Sequence, residues 1–392
     1  MKITRIKTLH GDFGWRTLSF LKLETDTGVV GWAEYFEGAG NLGLTKLIDA
    51  LGELLIGRDP RRFEAIVNLL NAKTIQAIGG LNQQAIGALT NACVDAAAKS
   101  CDVPVHALFG GAIRDAIPIY WSHFVSYRVR YAKSLGIDAP RTYDDISKAA
   151  EEARARGYGA LKTNVVLPVA EGGFAGFTPT RFEGQGFPEL NLSLAVLDAT
   201  VRQMQAIRDG AGPGVGLMLD LNFFFRPEGM LRIARALEPI GLEWLEVDSY
   251  DVGALQVLKQ QCRVPIGSLE HLYGRRGYKP FLDARAVDVP IIDPIWNGFI
   301  ESMKIAQLCD VYEMNAAPHN YFGYLADFIS LNLTAVMPNL RIMEHDTDGV
   351  PWRHEFYTHA PEIVGGKMMV PNRPGWGTDI DEAGVARHPP KN

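Results

Sequence analysis

The chain has little of what marks a secreted scaffold, a nucleic-acid binder or a membrane protein. Its 392 residues hold four cysteines, Cys93, Cys101, Cys262 and Cys309, and none forms a CxxC pair. A disulfide framework is therefore not expected, and the thiols read as reduced residues of a cytosolic protein. Basic charge is scarce too. Lys and Arg number 39 against 45 Asp and Glu, for a formal net charge of −6 with no basic stripe. Nothing here would displace the counterions of a phosphate backbone, so no nucleic-acid partner is expected. No apolar run reaches the roughly 18 residues that argue for a membrane-spanning helix. The opening MKITRI carries charges where a signal peptide would be apolar. The expected location is the cytoplasm.

What is present is ordinary globular material, 47% hydrophobic and 21% charged, enough for a large core. The length suits two domains. Residues 2–8, 19–25 and 29–34 alternate or run as strands around the turn Asp26-Thr27-Gly28. Helical patterns follow at 43–55, 60–73 and 83–99, so residues 1–115 read as an α+β domain. From about Ile117 short apolar runs alternate with amphipathic helices. Strands are expected at 119–121, 160–162, 215–220, 242–246, 264–270, 289–293, 313–319 and 339–344. Helices are expected at 146–156, 194–209, 227–237, 252–261, 279–286, 299–312 and 324–336. Repeated βα units of this number imply a parallel sheet closed into a barrel, here over residues 116–364. Residues 165–191 break the rhythm and read as one long loop. The tail, 365–392, reads as an extended return onto the first domain.

The strand ends carry the chemistry. The runs stop at Lys162, Asp220, Glu246, Glu270, Asp293, His319 and Glu344, and from Asp220 onward the steps are 26, 24, 23, 26 and 25 residues. Taken singly, each carboxylate is more often a surface or capping group. In a parallel barrel, however, all strand C-termini share one face, so these side chains converge. Asp220, Glu246 and Glu270 would repel one another unless a cation sat among them. Oxygen donors without cysteine or clustered histidine favour magnesium. Asp293, one strand before His319, would fix the imidazole tautomer and raise its basicity, which makes His319 a candidate general base. Lys162 adds a cation to stabilise the enediolate left when a proton leaves the carbon beside a carboxylate.

At this point the chain resembles the enolase superfamily, within the mandelate racemase-like group. The resemblance spans nearly the whole chain: MKITRIKT, FLKLETDTGVVGWAE, LIGRDP, ALKTN, LMLDLN, WLE, SLEH, IIDP, AAPHN, RIMEH and RPGWGTDIDE. It implies a modified (β/α)7β TIM-type barrel with an α+β capping domain. It implies Asp220, Glu246 and Glu270 as ligands of Mg2+, His319 and Asp293 as the base dyad, and Glu344 beside the substrate carboxylate. Racemases of the group carry Lys-x-Lys on the second strand, whereas this chain has Lys162-Thr163-Asn164. Lys-x-Asn is closer to the galactonate dehydratases, yet those carry histidine two residues after the first ligand, where Asn222 stands here.

The reading is a lyase that dehydrates an aldonic or aldaric acid to the 2-keto-3-deoxy acid. Its catalytic residues would be His319, Asp293, Lys162 and Glu344, with Asn164, Asn222, Arg16 and His123 as substrate contacts. Arg16, in the first interstrand loop, would suit a hydroxylated or anionic distal group. The residues leave two alternatives, a racemase or epimerase of a 2-hydroxy acid and a catalytically silent metal-binding barrel. By resemblance the protein is expected to be a homo-oligomer.

Overall fold

The computed structural model describes residues 1–38, 40–178 and 189–391. The chain opens as a three-stranded antiparallel sheet, β1 (Ile3–Asp12), β2 (Thr17–Thr25) and β3 (Val30–Tyr35), in the order β1-β2-β3. Period-two alternation puts Leu21, Leu23, Ala33 and Tyr35 on one face. That face packs on α1 (Leu44–Gly52), α2 (Phe63–Lys73) and α3 (Gly80–Ser100). The alanine-rich α3 is buried along most of its length. Its small side chains let the sheet come close: a Cβ on Gly31 would lie 2.0 Å from the Ala92 carbonyl oxygen.

Eight parallel strands then close a barrel. They are β4 (Ala116–Trp121), β5 (Ala160–Asn164), β8 (Gly216–Asp220), β9 (Trp244–Glu246), β10 (Ile266–Ser268), β11 (Val289–Ile292), β12 (Ala317–Pro318) and β13 (Met343–His345). The ring closes where β13 pairs β4, with Glu344 opposite Tyr120. Tyr120, Ala160, Met218, Trp244, Val289 and Ala317 fill the interior, so the barrel is a packed core and not a pore. A small hairpin, β6 (Val166–Pro168) with β7 (Phe174–Gly176), sits between the second and third barrel strands. Around the barrel run α4 (Ser126–Leu135), α5 (Tyr143–Ala155), α6 (Leu194–Ala211), α7 (Pro227–Leu237), α8 (Val252–Gln261), α9 (Gly274–Asp283), α10 (Phe299–Val311) and α11 (Tyr324–Val336). Local caps start several of them. Thr142 and Asp145 form a reciprocal capping box on α5, and Ser193 and Asp251 accept the first free N–H groups of α6 and α8. No helix among the described residues is long and apolar enough to cross a membrane.

The tail does two jobs where the sequence suggested one. The hairpin β14 (Ile363–Val364) and β15 (Lys367–Met369) first adds to the barrel, with β15 antiparallel to β4. Only then does the chain return to the first sheet. Trp376 donates its backbone N–H to Asp95 (2.8 Å) and its indole N–H to the Trp32 carbonyl (2.9 Å), before α12 (Glu382–Arg387) ends the fold. Other differences are local. The stretch expected as one long loop contains the β6–β7 hairpin, and its residues 179–188 lie outside the described ones. The helix expected at 279–286 begins earlier, as α9. The short α4, kinked at Tyr131, lacks an apolar stripe (SYRVRYAKSL), so periodicity gives no sign of it.

Cap and barrel meet through buried polar contacts. From α3, Asn91 accepts the Phe299 N–H (2.7 Å) and donates to the Pro294 carbonyl (3.1 Å), and Gln83 donates to the Asn297 carbonyl (2.9 Å). From β3, Glu34 accepts the N–H groups of Gly323 (2.6 Å) and Ala326 (3.1 Å) at the start of α11. A Cβ on Gly87 would lie 2.9–3.0 Å from backbone atoms of Ile295, Trp296 and Gly298. Gly87→Val is therefore expected to lower stability by about 1–3 kcal/mol, seen as a lower urea midpoint at unchanged slope.

Candidate active site

Register brings the strand ends together. Asn164 lies opposite Asp220, and Asp220 lies opposite Glu246. The next strand pairs Gly267 with Glu246, which carries Glu270 just past its own end onto the same rim. Asp220, Glu246, Glu270, Asp293, His319, Glu344 and Lys162 are all buried. The sequence places each of them at a strand end, and the fold gathers them at one mouth. The backbone is bent to aim them. His123 (φ 51°), Asn222 (φ 46°) and Leu269 (φ 91°), which follow β4, β8 and β10, adopt left-handed conformations without being glycine. Such strain persists where the surroundings over-determine a geometry, as functional sites do.

The imidazole is fixed on both sides. His319 Nδ1 lies 2.7 Å from Asp293 Oδ2, while Asp293 Oδ1 accepts the N–H groups of Ile295 and Trp296, each at 2.7 Å. Nδ1 therefore carries the proton it donates to Asp293, which leaves Nε2 to face the site, 3.4 Å from Glu270. Lys162 crosses the barrel interior to reach Glu246 (3.0 and 3.1 Å) and Glu344 (2.8 Å). Glu344 also accepts the Asn320 N–H (2.7 Å) and the Ser122 hydroxyl.

Negative charge exceeds positive here, and the titration of the groups records it. Burial raises Asp220 to about 7, with the charge of Glu246 adding and Lys162 opposing. Burial also lifts Glu270 well above the carboxylate range, reinforced by Asp248, Glu246 and Asp220. Burial alone would depress His319, but the charges of Glu270 and Asp293 outweigh it and raise the imidazole to about 10. Lys162 likewise overcomes burial and is held well above its usual value by Glu246 and Glu344, so it stays an ammonium. Glu344 is driven below the usual range despite burial, by Lys162, His319 and His123, and is an anion that accepts hydrogen bonds.

Among the described residues no three His, Cys, Asp or Glu side chains are gathered closely enough to hold a metal ion as they stand. Asp220 is turned onto Asn222 and Asn164, and Glu246 onto Lys162 and the Trp244 indole. Glu270 Oε2 is buried without a hydrogen-bond partner. Three hard oxygen donors on adjacent strands, mutually destabilised and one of them unsatisfied, nevertheless suit a divalent cation in their chemistry.

The expected substrate contacts divide. Asn222 gives its amide to both Asp220 oxygens (2.9 and 2.8 Å), and Asn164 donates to Asp220 Oδ2 (3.0 Å). Both amides are engaged with Asp220. Arg16 and His123 instead meet on Asp346. Neither Asp346 nor Asp248 was among the site residues expected from the sequence. Each lies two residues beyond a strand-end carboxylate, Glu344 or Glu246, and the period-two rule was a signal that could have found them. Asp248 binds His271 Nδ1 (2.9 Å), so His271 turns toward the site rim, whereas His345 points away onto Asp327 (3.0 Å). Lys162→Met would leave Glu246 and Glu344 buried without a counter-cation. It is expected to cost about 3–5 kcal/mol in metal-free denaturant unfolding, with part recovered by adding Glu344→Gln.

Known proteins share this fold. Residues 145–384 match the family described as Enolase C-terminal domain-like, and residues 4–110 match the Mandelate racemase / muconate lactonizing enzyme N-terminal domain. A D-xylonate dehydratase from Haloferax volcanii is 26% identical over 99% of this chain and 89% of its own. A D-galactonate dehydratase from Ralstonia nicotianae is 28% identical over 98% and 93%. A solved structure from Burkholderia xenovorans, assigned provisionally as an L-alanine-DL-glutamate epimerase, superposes with a TM-score of 0.97 at 43% identity, covering 100% of this chain and 99% of its own. The same protein has been solved with magnesium and fumarate. From the two family matches and the barrel they cover, the chain belongs to the enolase superfamily, in the mandelate racemase/muconate lactonizing enzyme group.

Proposed function

We propose that the protein is a hydro-lyase that dehydrates an acid sugar to the 2-keto-3-deoxy acid. The observation that carries this is the His319–Asp293 pair, with Nδ1 locked at 2.7 Å and Nε2 open toward the carboxylate rim. Asp220, Glu246 and Glu270 would hold Mg2+, which when bound supplies positive charge to the substrate carboxylate and offsets the excess that keeps His319 protonated. His319 Nε2 takes the proton from the carbon next to the carboxylate. The C–H electron pair moves toward the carboxylate carbon, and negative charge grows on the carboxylate oxygens beside the Lys162 ammonium. Glu344 keeps that ammonium in place by its 2.8 Å ion pair. As the pair returns to form a C=C bond, the C–O bond to the β-hydroxyl breaks. His319 gives its proton to the departing oxygen, water leaves, and the enol tautomerises to the ketone. One imidazole serving both steps makes the elimination syn. The neighbouring dehydratase names support this class.

The epimerase name of the 43% identical relative supplies the rival reading. It requires a second base on the opposite face of the substrate. Asn164, engaged with Asp220, cannot take a proton, and Lys162 is pinned by two carboxylates and kept charged. The intact dyad argues against a silent barrel.

A panel of aldonic and aldaric acids, assayed for keto acid with magnesium, tests the proposal. His319→Asn is expected to lower kcat by about 10²–10⁴-fold, with binding retained. Chelation should abolish turnover and magnesium should restore it. Solvent deuterium in recovered substrate together with the inverted epimer, and no keto acid, would instead establish the epimerase.

A further inference from the structure

We infer that Asp327, on α11, is a positioning residue: it ties the end of β12 to the end of β13 and so sets His319 in register with Glu344 and the Lys162 ammonium. The tie rests on geometry, and its effect on rate rests on the dehydratase reading. No backbone ladder joins these two strands at the mouth. Among the described residues they share one bridge, Ala316 opposite Leu340, just ahead of both strands. There the Ala316 N–H donates to the Asn339 carbonyl (2.8 Å) and the Arg341 N–H to the Ala316 carbonyl (2.8 Å). These bonds stop before the strands reach His319 and Glu344. Beyond them, side chains do the joining.

Asn320 follows the base. Its backbone N–H donates to Glu344 Oε2 (2.7 Å), and its amide Nδ2 donates to the Glu344 carbonyl (3.4 Å) and to Asp327 Oδ1 (2.6 Å). Asn320 Oδ1 is buried without a partner, so the nitrogen alone orients this amide. His345 follows Glu344, and its Nδ1 lies 3.0 Å from the same Asp327 oxygen. Facing a carboxylate, Nδ1 carries the proton and donates it. One oxygen on a neighbouring helix thus accepts from the residue after the base and from the residue after Glu344.

The anchor itself is held. Asp327 stands in the first turn of α11, where the helix dipole favours an anion. Glu34 of the first sheet fixes that turn through the N–H groups of Gly323 and Ala326. Arg353 supplies the counter-charge, with Nη2 3.5 Å from Asp327 Oδ2. The side chains of Asp327, His345 and Arg353 are 1%, 3% and 5% exposed, so bulk water does not replace a lost bond. A slip of either strand end moves the imidazole against the ammonium. Nε2 has to take the proton while negative charge grows beside Lys162, which Glu344 holds at 2.8 Å. A misplacement of about 1 Å between such groups costs about 10²-fold in rate.

Substitutions at both ends of the tie test this. Asp327→Ala removes the acceptor, and Asp327→Asn keeps an acceptor oxygen without the charge. Asn320→Ala cuts one arm and leaves the Asp327–Arg353 pair intact, which serves if Asp327→Ala does not fold by circular dichroism. Hydrogen exchange of the full-length protein with magnesium, read by mass spectrometry, needs no substrate. In Asp327→Ala it is expected to rise in peptides covering residues 316–323 and 341–348 and to stay at the wild-type level in α5 and α6. With the panel acid that yields most keto acid, kcat is expected to fall about 10–100-fold with KM little changed. Asp327→Asn should recover most of both effects, and Asn320→Ala should show both on a smaller scale. Wild-type kcat in a folded Asp327→Ala or Asn320→Ala overturns the proposal, as does an Asp327→Asn no better than Asp327→Ala. Exchange that rises evenly over the barrel, or not at all at the two strand ends, overturns it too. If the wild-type protein forms keto acid from none of the acids, the dehydratase reading falls, and exchange at the two strand ends alone decides whether Asp327 ties them.

Discussion

The site is organised by an excess of buried negative charge at the carboxyl ends of the barrel strands. Asp220, Glu246, Glu270, Asp248, Asp293 and Glu344 gather around the Lys162 ammonium and the imidazoles of His319 and His271; burial and mutual repulsion raise the proton affinity of Glu270, and the attraction of Glu270 and Asp293 raises that of His319. Such a cluster is tolerable in a folded protein only because each charge has a donor or a counter-charge assigned to it. Asn222 and Asn164 serve Asp220. Lys162 bridges Glu246 and Glu344, and backbone N–H groups hold Asp293. The unsatisfied oxygen of Glu270 is where the assignment stops. The lack of a ready metal cage among the described residues and a charge pattern that calls for a cation thus have one cause, donors turned inward onto one another.

The first sheet and helices do more than roof this cluster. Asn91 grips the loop that follows Asp293, and Glu34 grips the turn that follows His319. Asp293 and His319 are therefore each backed by a residue of the other layer. Glu34 is fully buried at that joint, and burial raises it to about 7 even though two backbone N–H groups favour its anion.

Much of this was legible in the chain. Steps of 23–26 residues between strand-end polar groups located the carboxylates and His319, because a parallel barrel turns equal spacing into convergence. Reading stopped one residue pair short, however. Asp346 and Asp248 share the side of the strand occupied by Glu344 and Glu246, and the alternation rule reaches them. His271 defeats the same rule, since Leu269 at φ 91° breaks the strand geometry just before it. The Arg16–Asp346 contact spans 330 residues and leaves no local trace. It changes the meaning of Arg16 from a free cation to half of an ion pair.

The return of the tail has a consequence for how the molecule assembles. Asp95 on α3 accepts N–H groups from Trp32 (2.8 Å) and from Trp376 (2.8 Å), the latter 281 residues away, and Lys99 ion-pairs with both Asp95 and Asp379. A chain emerging from the ribosome makes its first hundred residues long before their last partners exist. Until Trp376 arrives, Asp95 lacks one of its donors and the Trp32 carbonyl lacks the indole that covers it. Contacts this distant in sequence close late and slowly. The layer that holds α3 is thus completed only once Trp376 and Asp379 have been made, and the backing it gives to Asp293 and His319 is complete no earlier.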